Sequence, residues 1–318
     1  MKIVVTGASG FLGSWFCRVL AEKHDVTALL REDSSIKRLV GISNLNIIKS
    51  DVDNWAAVIT TINPDAIVLN DWWGVGNKHK DDVRQFENLV RQENILNRIT
   101  NSKTRTIVCV GSQAELGPVS GEIGESQPDG PTTTYGEAKV LARKQFFANE
   151  NISESRRVWL RVFSTYGPLD NSGWLITDTI RHMQKNETML LTLGEQDWSY
   201  LHAFDLAVAL KVILENSEIS GIVNCGNPKT VKIRDVASYI ANAFGKKELI
   251  KLGAIPYRSD QVMELKPKCE KLTAAGWEPQ VDLESGLDHL IGWFNEESMP
   301  LKLNNGQLIK FDLQFKVD

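Results

Sequence analysis

Gly7-Ala8-Ser9-Gly10-Phe11-Leu12-Gly13 follows a short apolar segment, Ile3–Thr6, and leads into a helical pattern over Gly13–Lys23. Three glycines with this spacing, placed where a strand turns into a helix, are typical of a dinucleotide-binding turn. The first permits the tight turn, the second lets the backbone approach a pyrophosphate, and the third lets helix and strand pack closely. The helix N-terminus favours the negative diphosphate. The predicted cofactor-phosphate site therefore consists of Gly7, Gly10, Phe11, Leu12 and Gly13.

Short apolar segments alternate with helical patterns along the first half of the chain. Strands are predicted at Ile3–Thr6, Val26–Leu30, Leu45–Lys49, Ala66–Leu69, Thr106–Val110 and Val158–Phe163. The helices between them are predicted at Gly13–Lys23, Asn54–Thr61, Val83–Thr100 and Thr134–Asn149. Short apolar strands joined by helices are typical of a parallel sheet that is buried on both faces. The predicted fold class is therefore α/β, with a Rossmann-type doubly wound parallel sheet.

The pattern becomes looser after Gly167-Pro168, which indicates a second, smaller unit. We assign residues 1–168, with about 199–226, to a cofactor-binding Rossmann domain. Residues 169–198 and 227–318 are assigned, again with about these bounds, to a C-terminal substrate-binding lobe. The elements predicted here are Trp174–Lys185, Met189–Leu193, Ser199–Ala203, Asp205–Glu215, Gly221–Cys225, Arg234–Phe244, Leu249–Leu252 and Leu283–Phe294. In the tail 300–318, only an edge hairpin around Asn305-Gly306 is predicted.

Composition and charge argue against several functional classes. The net charge of −4 and the pI near 5.8 do not suit a surface that binds nucleic acid or anionic membrane. No apolar stretch approaches the roughly 20 residues of a membrane span, and the first residues lack the pattern of a signal peptide. The cysteines lack the spacing of metal ligands, so we predict reduced core thiols, no metal site and a cytoplasmic protein. They are Cys17, Cys109, Cys225 and Cys269.

Tyr135-Gly136-Glu137-Ala138-Lys139 places a tyrosine and a lysine one turn apart on the same helix face. Because a tyrosine with a pKa of about 10 is a poor acid at neutral pH, the neighbouring ammonium is expected to lower that pKa. Ser112, just past a predicted strand, is expected to hydrogen-bond the same carbonyl oxygen. We predict Ser112, Tyr135 and Lys139 as a catalytic set, with Tyr135 protonating a carbonyl that receives hydride. Tyr135 and Lys139 are also predicted to contact the cofactor, Lys139 at the nicotinamide ribose.

The end of the second strand predicts which dinucleotide is bound. An NAD site usually has an acidic residue there to hold the ribose 2′-hydroxyl, but this strand ends with Leu29-Leu30-Arg31. Arg31 can pair with a 2′-phosphate, which favours NADP(H) and leaves NAD(H) as the alternative. Asp51 and Val52, after the third strand, are predicted to contact the adenine, although Asp51 is equally suited to capping a helix.

With these motifs in place, the sequence resembles the extended short-chain dehydrogenase/reductase family, in its nucleotide-sugar branch. The similarity extends to about Phe294 and includes Gly7–Gly13, Gly111–Gly117, Tyr135–Lys139, Arg161–Pro168, Leu201–Ala207, Pro256–Arg258 and Gly276–Pro279. The resemblance implies a nucleoside-diphosphate sugar as substrate, with Arg258 contacting its diphosphate. Gln113 and Trp198 are expected in the sugar and base pockets. A homodimer is also expected.

Departures from the family pattern narrow the expected reaction. Family members that remove water carry an Asp-Glu pair where this chain has Gln113 and Ala114, and Glu115, one place further on, is expected to point elsewhere. Members that epimerise beside the ketone need a Cys and a His, where this chain has Ala114 and about Trp174. The resemblance therefore implies NADPH-dependent reduction of a 4-keto sugar, as in deoxysugar synthesis for surface polysaccharides. The alternatives are a 4-epimerase with retained NAD and a non-catalytic NADP-binding regulator. Asp71 stands where the family usually has Ala, and its role is not predicted.

Overall fold

The computed structural model describes residues 1–99, 103–258, 261–297 and 300–310. Its strands are β1 (Lys2–Thr6), β2 (Asp25–Leu30), β3 (Leu45–Lys49), β4 (Ala66–Leu69), β5 (Thr106–Ser112), β6 (Glu122–Ile123), β7 (Arg156–Val162), β8 (Thr165–Tyr166), β9 (Met189–Leu190), β10 (Asp197–Ser199), β11 (Leu201–His202), β12 (Gly221–Cys225), β13 (Thr230–Lys232), β14 (Ile250–Lys251), β15 (Glu264–Pro267), β16 (Leu301–Lys302) and β17 (Leu308–Ile309). Its α-helices are α1 (Phe11–Leu20), α2 (Trp55–Ile62), α3 (Glu87–Arg98), α4 (Thr134–Ala148), α5 (Leu175–Lys185), α6 (Ala203–Glu215), α7 (Ile233–Ala243), α8 (Glu270–Ala274) and α9 (Leu283–Phe294).

Seven parallel strands form the main sheet, in the order β12-β7-β5-β4-β1-β2-β3. The interior strands are apolar because both faces are covered: Val4 and Val5 of β1 and Ile67 and Val68 of β4 have no exposed surface. The chain reverses its direction of winding between β1 and β4. Open α/β sheets bind ligands outside the carboxyl ends of the strands at such a point. The predicted Rossmann-type fold is confirmed.

A second sheet has four strands in the order β13-β10-β15-β6. β10 pairs antiparallel with β13 and parallel with β15, which also pairs in parallel with β6. The sequence analysis does not predict β6, β13 or β15, which are two to four residues long and include charged residues. This small sheet carries Trp198 on β10, and its β6 lies only ten positions after Ser112, which ends β5. It therefore brings the second half of the chain to the end of β5.

Most predicted elements are present, with two corrections. The predicted strand Ser199–Ala203 is wrong as a single element, because β10 and β11 are separate and α6 begins at Ala203. The helix begins there because His202 caps it, its Nδ1 accepting a hydrogen bond from Phe204 N at 3.2 Å. The predicted helix Val83–Thr100 begins instead with a 3-10 turn, and α3 itself covers Glu87–Arg98. The predicted hairpin is confirmed as β16 and β17, while residues 311–318 lie outside the described part of the chain.

The hydrophobic core lies on both faces of the main sheet. One face is covered by α1 and α6, which pack against each other, and the other by α2, α3 and α4. All four cysteines are buried and free, as predicted. Among the described residues, no helix combines the length and the apolar character needed to cross a membrane.

Candidate active site

The glycine turn between β1 and α1 has the close backbone packing that the sequence predicts. Gly7 has a φ of +62°, and a Cβ atom there would lie 2.7 Å from the carbonyl carbon of Asn70. A Cβ atom on Gly13 would lie 2.2 Å from the carbonyl oxygen of Gly7. Gly10 is the N-cap residue of α1, so the backbone amides at this helix start can approach a diphosphate. The turn therefore fits a dinucleotide; the helix residues that follow it are Phe11 and Leu12.

Three predicted catalytic residues come together at the carboxyl end of β5. Ser112 ends β5, and Tyr135 and Lys139 lie one turn apart on α4, whose N-terminus is capped by the Thr133 hydroxyl. The hydroxyl groups of Ser112 and Tyr135 are hydrogen-bonded to each other. Lys139 Nζ donates a hydrogen bond to the carbonyl oxygen of Val110 at 2.8 Å. The arrangement brings two hydroxyl groups and an ammonium to one place, as a carbonyl reductase requires.

Burial dominates the ionisation of the two helix residues. It raises the pKa of Tyr135 to about 12, and the hydrogen bond with Ser112 lowers it by less. It lowers the pKa of Lys139 to about 7, because the buried ammonium loses its hydration. The prediction that Lys139 lowers the pKa of Tyr135 is therefore wrong for the protein chain itself, where desolvation is the larger effect. Tyr135 consequently keeps its proton at neutral pH and can act as a general acid.

Glu115 is a residue of this site that the sequence analysis does not select. Its Oε1 accepts hydrogen bonds from Ser112 N and Trp159 Nε1, both at 2.8 Å. Its Oε2 lies 3.3 Å from Arg161 Nε and 3.8 Å from Arg143 Nε. These partners hold the carboxylate inside the protein, in agreement with the prediction that it is not a dehydrating acid. The sequence signal for this role is the capping-box spacing of Ser112 and Glu115.

Trp72 and Asp71, directly after β4, border the same cluster. Lys139 Nζ lies 3.5 Å from the centre of the Trp72 ring, a cation–π contact. The Trp72 indole is fixed by a hydrogen bond from its Nε1 to the fully buried Gln85. Asp71 accepts a hydrogen bond from Thr6 Oγ1 at 2.6 Å, so this carboxylate links the ends of β1 and β4. The structure thus gives Asp71, whose role the sequence does not predict, a hydrogen-bond partner in Thr6.

The predicted adenosine end lies on the surface beyond β2. Arg31 and Val52 border one cavity of about 350 Å³, which Arg91 and Arg98 also line. The Arg31 side chain is 59% exposed, and its Nε lies 3.9 Å from Asp33 Oδ1. Asp53 and Glu87 line the same cavity, so its charged residues are three arginines and two carboxylates, and its role as the adenosine site stays a prediction. Asp51 caps the 3-10 turn Val52–Asn54 by accepting from Asp53 N, which is the alternative role considered for it.

Two of the predicted substrate residues meet at a serine that the sequence analysis does not select. Trp198 Nε1 donates to Ser164 Oγ at 2.8 Å, and Gln113 Nε2 donates to the same oxygen at 3.4 Å. Gln113 Oε1 is buried and has no hydrogen-bond partner. Gln113 follows Ser112 in the chain, and its own carbonyl oxygen accepts a hydrogen bond from Leu116 N. A ligand hydroxyl could satisfy the orphan Gln113 oxygen, since buried acceptors are costly to leave unpaired.

The third predicted substrate residue, Arg258, lies on an exposed stretch between β14 and β15. Its charge acts on the ammonium of Lys80. The carbonyl oxygen of Lys80 accepts a hydrogen bond from Tyr135 N at 2.7 Å, so the Lys80 backbone adjoins the start of α4. Among the described residues, no group of three or more His, Cys, Asp or Glu side chains is arranged to hold a metal ion.

Known proteins resemble this chain over most of its length. The UDP-glucose 4-epimerase of Halalkalibacterium halodurans is 27% identical over 327 residues, covering 93% of this chain and 96% of that protein. The CDP-abequose synthase of Salmonella muenchen is 22% identical over 302 residues, covering 91% and 97%. Among solved structures, the dTDP-glucose 4,6-dehydratase DesIV from Streptomyces venezuelae, with NAD and TYD bound, superposes with a TM-score of 0.82 at 19% identity, covering 93% of this chain and 97% of that one.

A structural similarity at 19% sequence identity establishes only the fold. The match of the sequence to a family model establishes the family as well. Residues 3–226 match the NAD dependent epimerase/dehydratase family. That range includes the glycine turn, Ser112, Tyr135 and Lys139. The chain therefore belongs to the NAD dependent epimerase/dehydratase family.

Proposed function

We propose that the protein reduces the C4 ketone of a nucleoside-diphosphate 4-keto-6-deoxyhexose, or of its 3,6-dideoxy counterpart, with NADPH. The observation that carries this proposal is the buried Tyr135 hydroxyl, which is hydrogen-bonded to Ser112 and has a pKa raised to about 12. A carbonyl reductase needs a donor that holds its proton until the carbonyl oxygen becomes basic. The product class fits deoxysugar synthesis for surface polysaccharides.

In this proposal the side chains divide the work at the carbonyl oxygen. NADPH supplies the hydride when it is bound. Tyr135 donates its proton to the carbonyl oxygen, and Ser112 hydrogen-bonds the same oxygen and so stabilises the negative charge that develops on it. Lys139, in its charged form, holds the nicotinamide ribose. Gln113 and Trp198 hold the sugar and base, and Arg258 binds the diphosphate.

The cofactor proposal depends on Arg31. A guanidinium at the rim of the cavity can pair with a 2′-phosphate, which only NADP(H) carries. We assign the diphosphate to Gly7–Gly13 and the adenine to the cavity lined by Val52. Because similar structures are known with NAD, NAD(H) is the alternative.

The second candidate is a nucleotide-sugar 4-epimerase with retained NAD, which the similarity to the Halalkalibacterium enzyme favours. The similarity to CDP-abequose synthase supports the reductase instead. A regulator without catalysis would have no use for a buried proton donor beside Ser112, and the set is complete here. Dehydration is disfavoured because Glu115 is held in its ion network and Gln113 and Ala114 cannot act as acids.

The decisive experiment incubates the purified protein with a panel of CDP-, dTDP-, GDP- and UDP-linked 4-keto-6-deoxyhexoses and NADPH. A reductase consumes NADPH in proportion to the sugar turned over, followed at 340 nm, and NMR assigns the stereochemistry of the new hydroxyl. An epimerase interconverts two 4-hydroxy sugars with no net change in absorbance and copurifies with oxidised cofactor. That second pattern would reject the reductase in favour of the epimerase.

The remaining proposals concern organisation and location. We assign residues 1–168 and about 199–226 to cofactor binding, and about 169–198 and 227–318 to the nucleotide sugar. The buried free thiols fit a reducing compartment, which supports a cytoplasmic location. Exposed Val83 and Leu141, beside α3 and on α4, which pack together, support a homodimer. Light scattering after size-exclusion chromatography gives the mass that tests it.

A further inference from the structure

Trp72 is an aromatic residue at the candidate active site that the proposed mechanism does not use. It lies in the loop after β4, and the centre of its ring is 3.5 Å from Lys139 Nζ. The ring of Tyr135 meets it edge-on, with 6.3 Å between the two ring centres and an interplanar angle of 86°. The Trp72 ring therefore faces two residues of the proposed catalytic set, both of them on α4.

A buried glutamine fixes the plane of the Trp72 indole. Gln85 has no exposed surface, and its Oε1 accepts a hydrogen bond from Trp72 Nε1 at 2.8 Å. Its Nε2 donates to the carbonyl oxygens of Gly74 at 2.8 Å and His79 at 2.9 Å. Because both donors and the oxygen of the Gln85 amide are engaged, this side chain is held in one orientation and holds the indole in turn.

The Lys139 ammonium needs support beyond its hydrogen bond. Lys139 is 4% exposed, and within the described ranges its ammonium donates one hydrogen bond, to the carbonyl oxygen of Val110 at 2.8 Å. A buried charge is costly unless it is paired or bonded, and an ammonium has three donors. The face of an indole attracts a cation most strongly where water is excluded. The Trp72 ring therefore supplies support that the Val110 carbonyl alone does not.

The charged and neutral forms of Lys139 are closely balanced. Burial lowers the pKa of Lys139 to about 7, against ionisable groups on neighbouring elements that favour its charged form. These groups are Glu115, which follows β5, Cys109 on β5, and Asp71, which follows β4. Both carboxylates are bonded to other side chains. Since the ammonium is close to losing its proton at neutral pH, a contact that favours the charged form affects how much of it is present.

We propose that Trp72 is a positioning residue for Lys139, and that its ring face holds the ammonium where it meets the nicotinamide ribose of the dinucleotide. This inference rests on the proposed function, in which Lys139 holds that ribose. Gln85 contributes by fixing the ring. Trp72 acts through Lys139 and takes no part in proton transfer.

Dinucleotide binding tests this inference without any turnover. Calorimetry at pH 6.5 measures the Kd of NADP⁺ and of 2′,5′-ADP, which lacks the nicotinamide ribose, with NAD⁺ and ADP as a second pair. We expect Trp72→Leu to weaken the dinucleotide that the wild type prefers by about 5- to 30-fold, the range of a cation–π contact. The fragment without the ribose should bind to this variant as it does to the wild type.

Three further variants make the result specific to the ring face. Trp73→Leu is the matched control, because the centre of this adjacent ring lies 4.3 Å from Arg84 Cζ and 5.0 Å from the centre of the His79 ring instead. Its dinucleotide affinity should match the wild type. Trp72→Phe keeps an aromatic face and should recover most of the affinity. Trp72→Met has an unbranched apolar side chain that adapts to the same space and should behave like Trp72→Leu, so the test does not depend on the folding of one variant.

The pH dependence separates a hold on the ammonium from a merely structural role. The ring favours the charged form of Lys139, so without the ring the charge is lost at lower pH. In Trp72→Leu and Trp72→Met, the midpoint of the fall in dinucleotide affinity should therefore lie about one pH unit below that of the wild type. Trp72→Phe and Trp73→Leu should keep a midpoint near the wild-type value.

Several results would overturn the inference. One is that Trp72→Leu and Trp72→Met bind the dinucleotide as tightly as Trp73→Leu does. Another is that they bind it more tightly, since the ring would then block the ribose. A loss of dinucleotide and fragment together would make Trp72 a structural support of the loop after β4. A midpoint that moves to higher pH would mean that the ring excludes water from Lys139 and does not hold its charge.

The reductase proposal fails on different results. If the Trp72 variants bind as described but no 4-keto sugar oxidises NADPH, the reductase is rejected and the role of Trp72 stands. If keto sugars are reduced while Trp72→Leu and Trp72→Met behave like Trp73→Leu, the role of Trp72 is rejected and the reductase stands. A wild-type protein that binds neither dinucleotide would reject both.

Discussion

Ser112, Tyr135 and Lys139 lie together at the carboxyl end of β5, where Tyr135 and Lys139 are buried and Lys139 bonds the Val110 carbonyl oxygen. Arg31, at the other end of the predicted cofactor site, is by contrast 59% exposed at the rim of a cavity. The cluster is held from behind by Glu115, which bonds the Ser112 amide and pairs with the buried Arg161. Arg31 pairs instead with Asp33, whose carboxylate is 3.9 Å away and itself exposed. The chemical end is preorganised, and the adenosine end is not.

Because one end of the site is buried and the other exposed, substitutions at the two ends should have different effects. A site held by buried partners keeps its geometry, so a change there alters rate and stability together. An exposed ion pair adds little to stability, so a change there alters affinity for one ligand and nothing else. The comparison fails if a variant at the chemical end acts only on affinity, or if one at the adenosine end unfolds the protein. The predictions below test these outcomes.

Replacing Tyr135 with Phe should have the largest effect on rate. It removes the acid oxygen and leaves the ring in place, so kcat should fall by about 10²- to 10⁴-fold while NADPH binding stays within a few-fold. Steady-state turnover and cofactor fluorescence measure the two. Tyr239→Phe is the control, because it removes a hydroxyl that donates to Asp288 Oδ1 at 2.9 Å and is not part of the proposed catalytic set. The kcat of this variant should stay near the wild-type value. Full activity in Tyr135→Phe would reject an enzyme and revive the regulator.

Replacing Glu115 with Gln should destabilise the protein by about 3 kcal/mol, because the buried Arg161 loses its compensating charge. Glu122→Gln removes a carboxylate that is 50% exposed and pairs with Lys268, so its cost should be below about 1 kcal/mol. Denaturant unfolding gives both free energies. Equal values for the two variants would mean that the network behind Ser112 does not hold the catalytic end in place.

The places of Ser112, Tyr135 and Lys139 in the fold, and the main sheet, were predictable from sequence because their signals are local. Tyr135 and Lys139 are four residues apart on one helix, and Ser112 ends an apolar strand. The strands of the main sheet are continuous apolar runs, which the burial of both faces requires.

The supports of the site were not predictable, since they depend on tertiary contacts. Arg161 meets Glu115 across 46 positions, and Trp72 reaches Lys139 only through the fold. The strands β6 and β15 are short and carry Glu122, Glu264 and Lys266, so nothing in their composition marks them. The pKa of Tyr135 was misjudged for the same reason: its spacing from Lys139 is visible in the sequence, but its burial is not.

Replacing Arg31 with Ala should weaken NADPH by about 10- to 100-fold and leave NADH nearly unchanged, because only NADPH has the 2′-phosphate. Thermal unfolding should match the wild type, since the side chain is exposed. Equilibrium titration measures the affinity of the same variant for both cofactors, so NADH binding is the control for NADPH binding. Equal loss of both, or a wild type that already prefers NADH, would contradict the NADP assignment.

The smallest expected effect is a pH dependence that only the chemical end can have. Burial lowers the pKa of Lys139 from 10.5 to about 7, so the folded protein releases this proton between those values while the unfolded chain retains it. The cost of burying the charged lysine is therefore fully present below pH 7, and stability from this group rises as pH increases toward 10.5. The same deprotonation removes the charge that is proposed to hold the nicotinamide ribose.

NADPH affinity of the wild type should accordingly fall by several-fold, and at most about tenfold, between pH 6.5 and 8, as the charged fraction of Lys139 declines. Lys139→Met should bind weakly and show no such slope. Arg31→Ala should bind weakly and keep the slope, because its guanidinium does not titrate in this range. Fluorescence titrations of the three proteins across these pH values measure the effect. A slope that disappears in Arg31→Ala and persists in Lys139→Met would reverse the roles assigned to the two ends of the site.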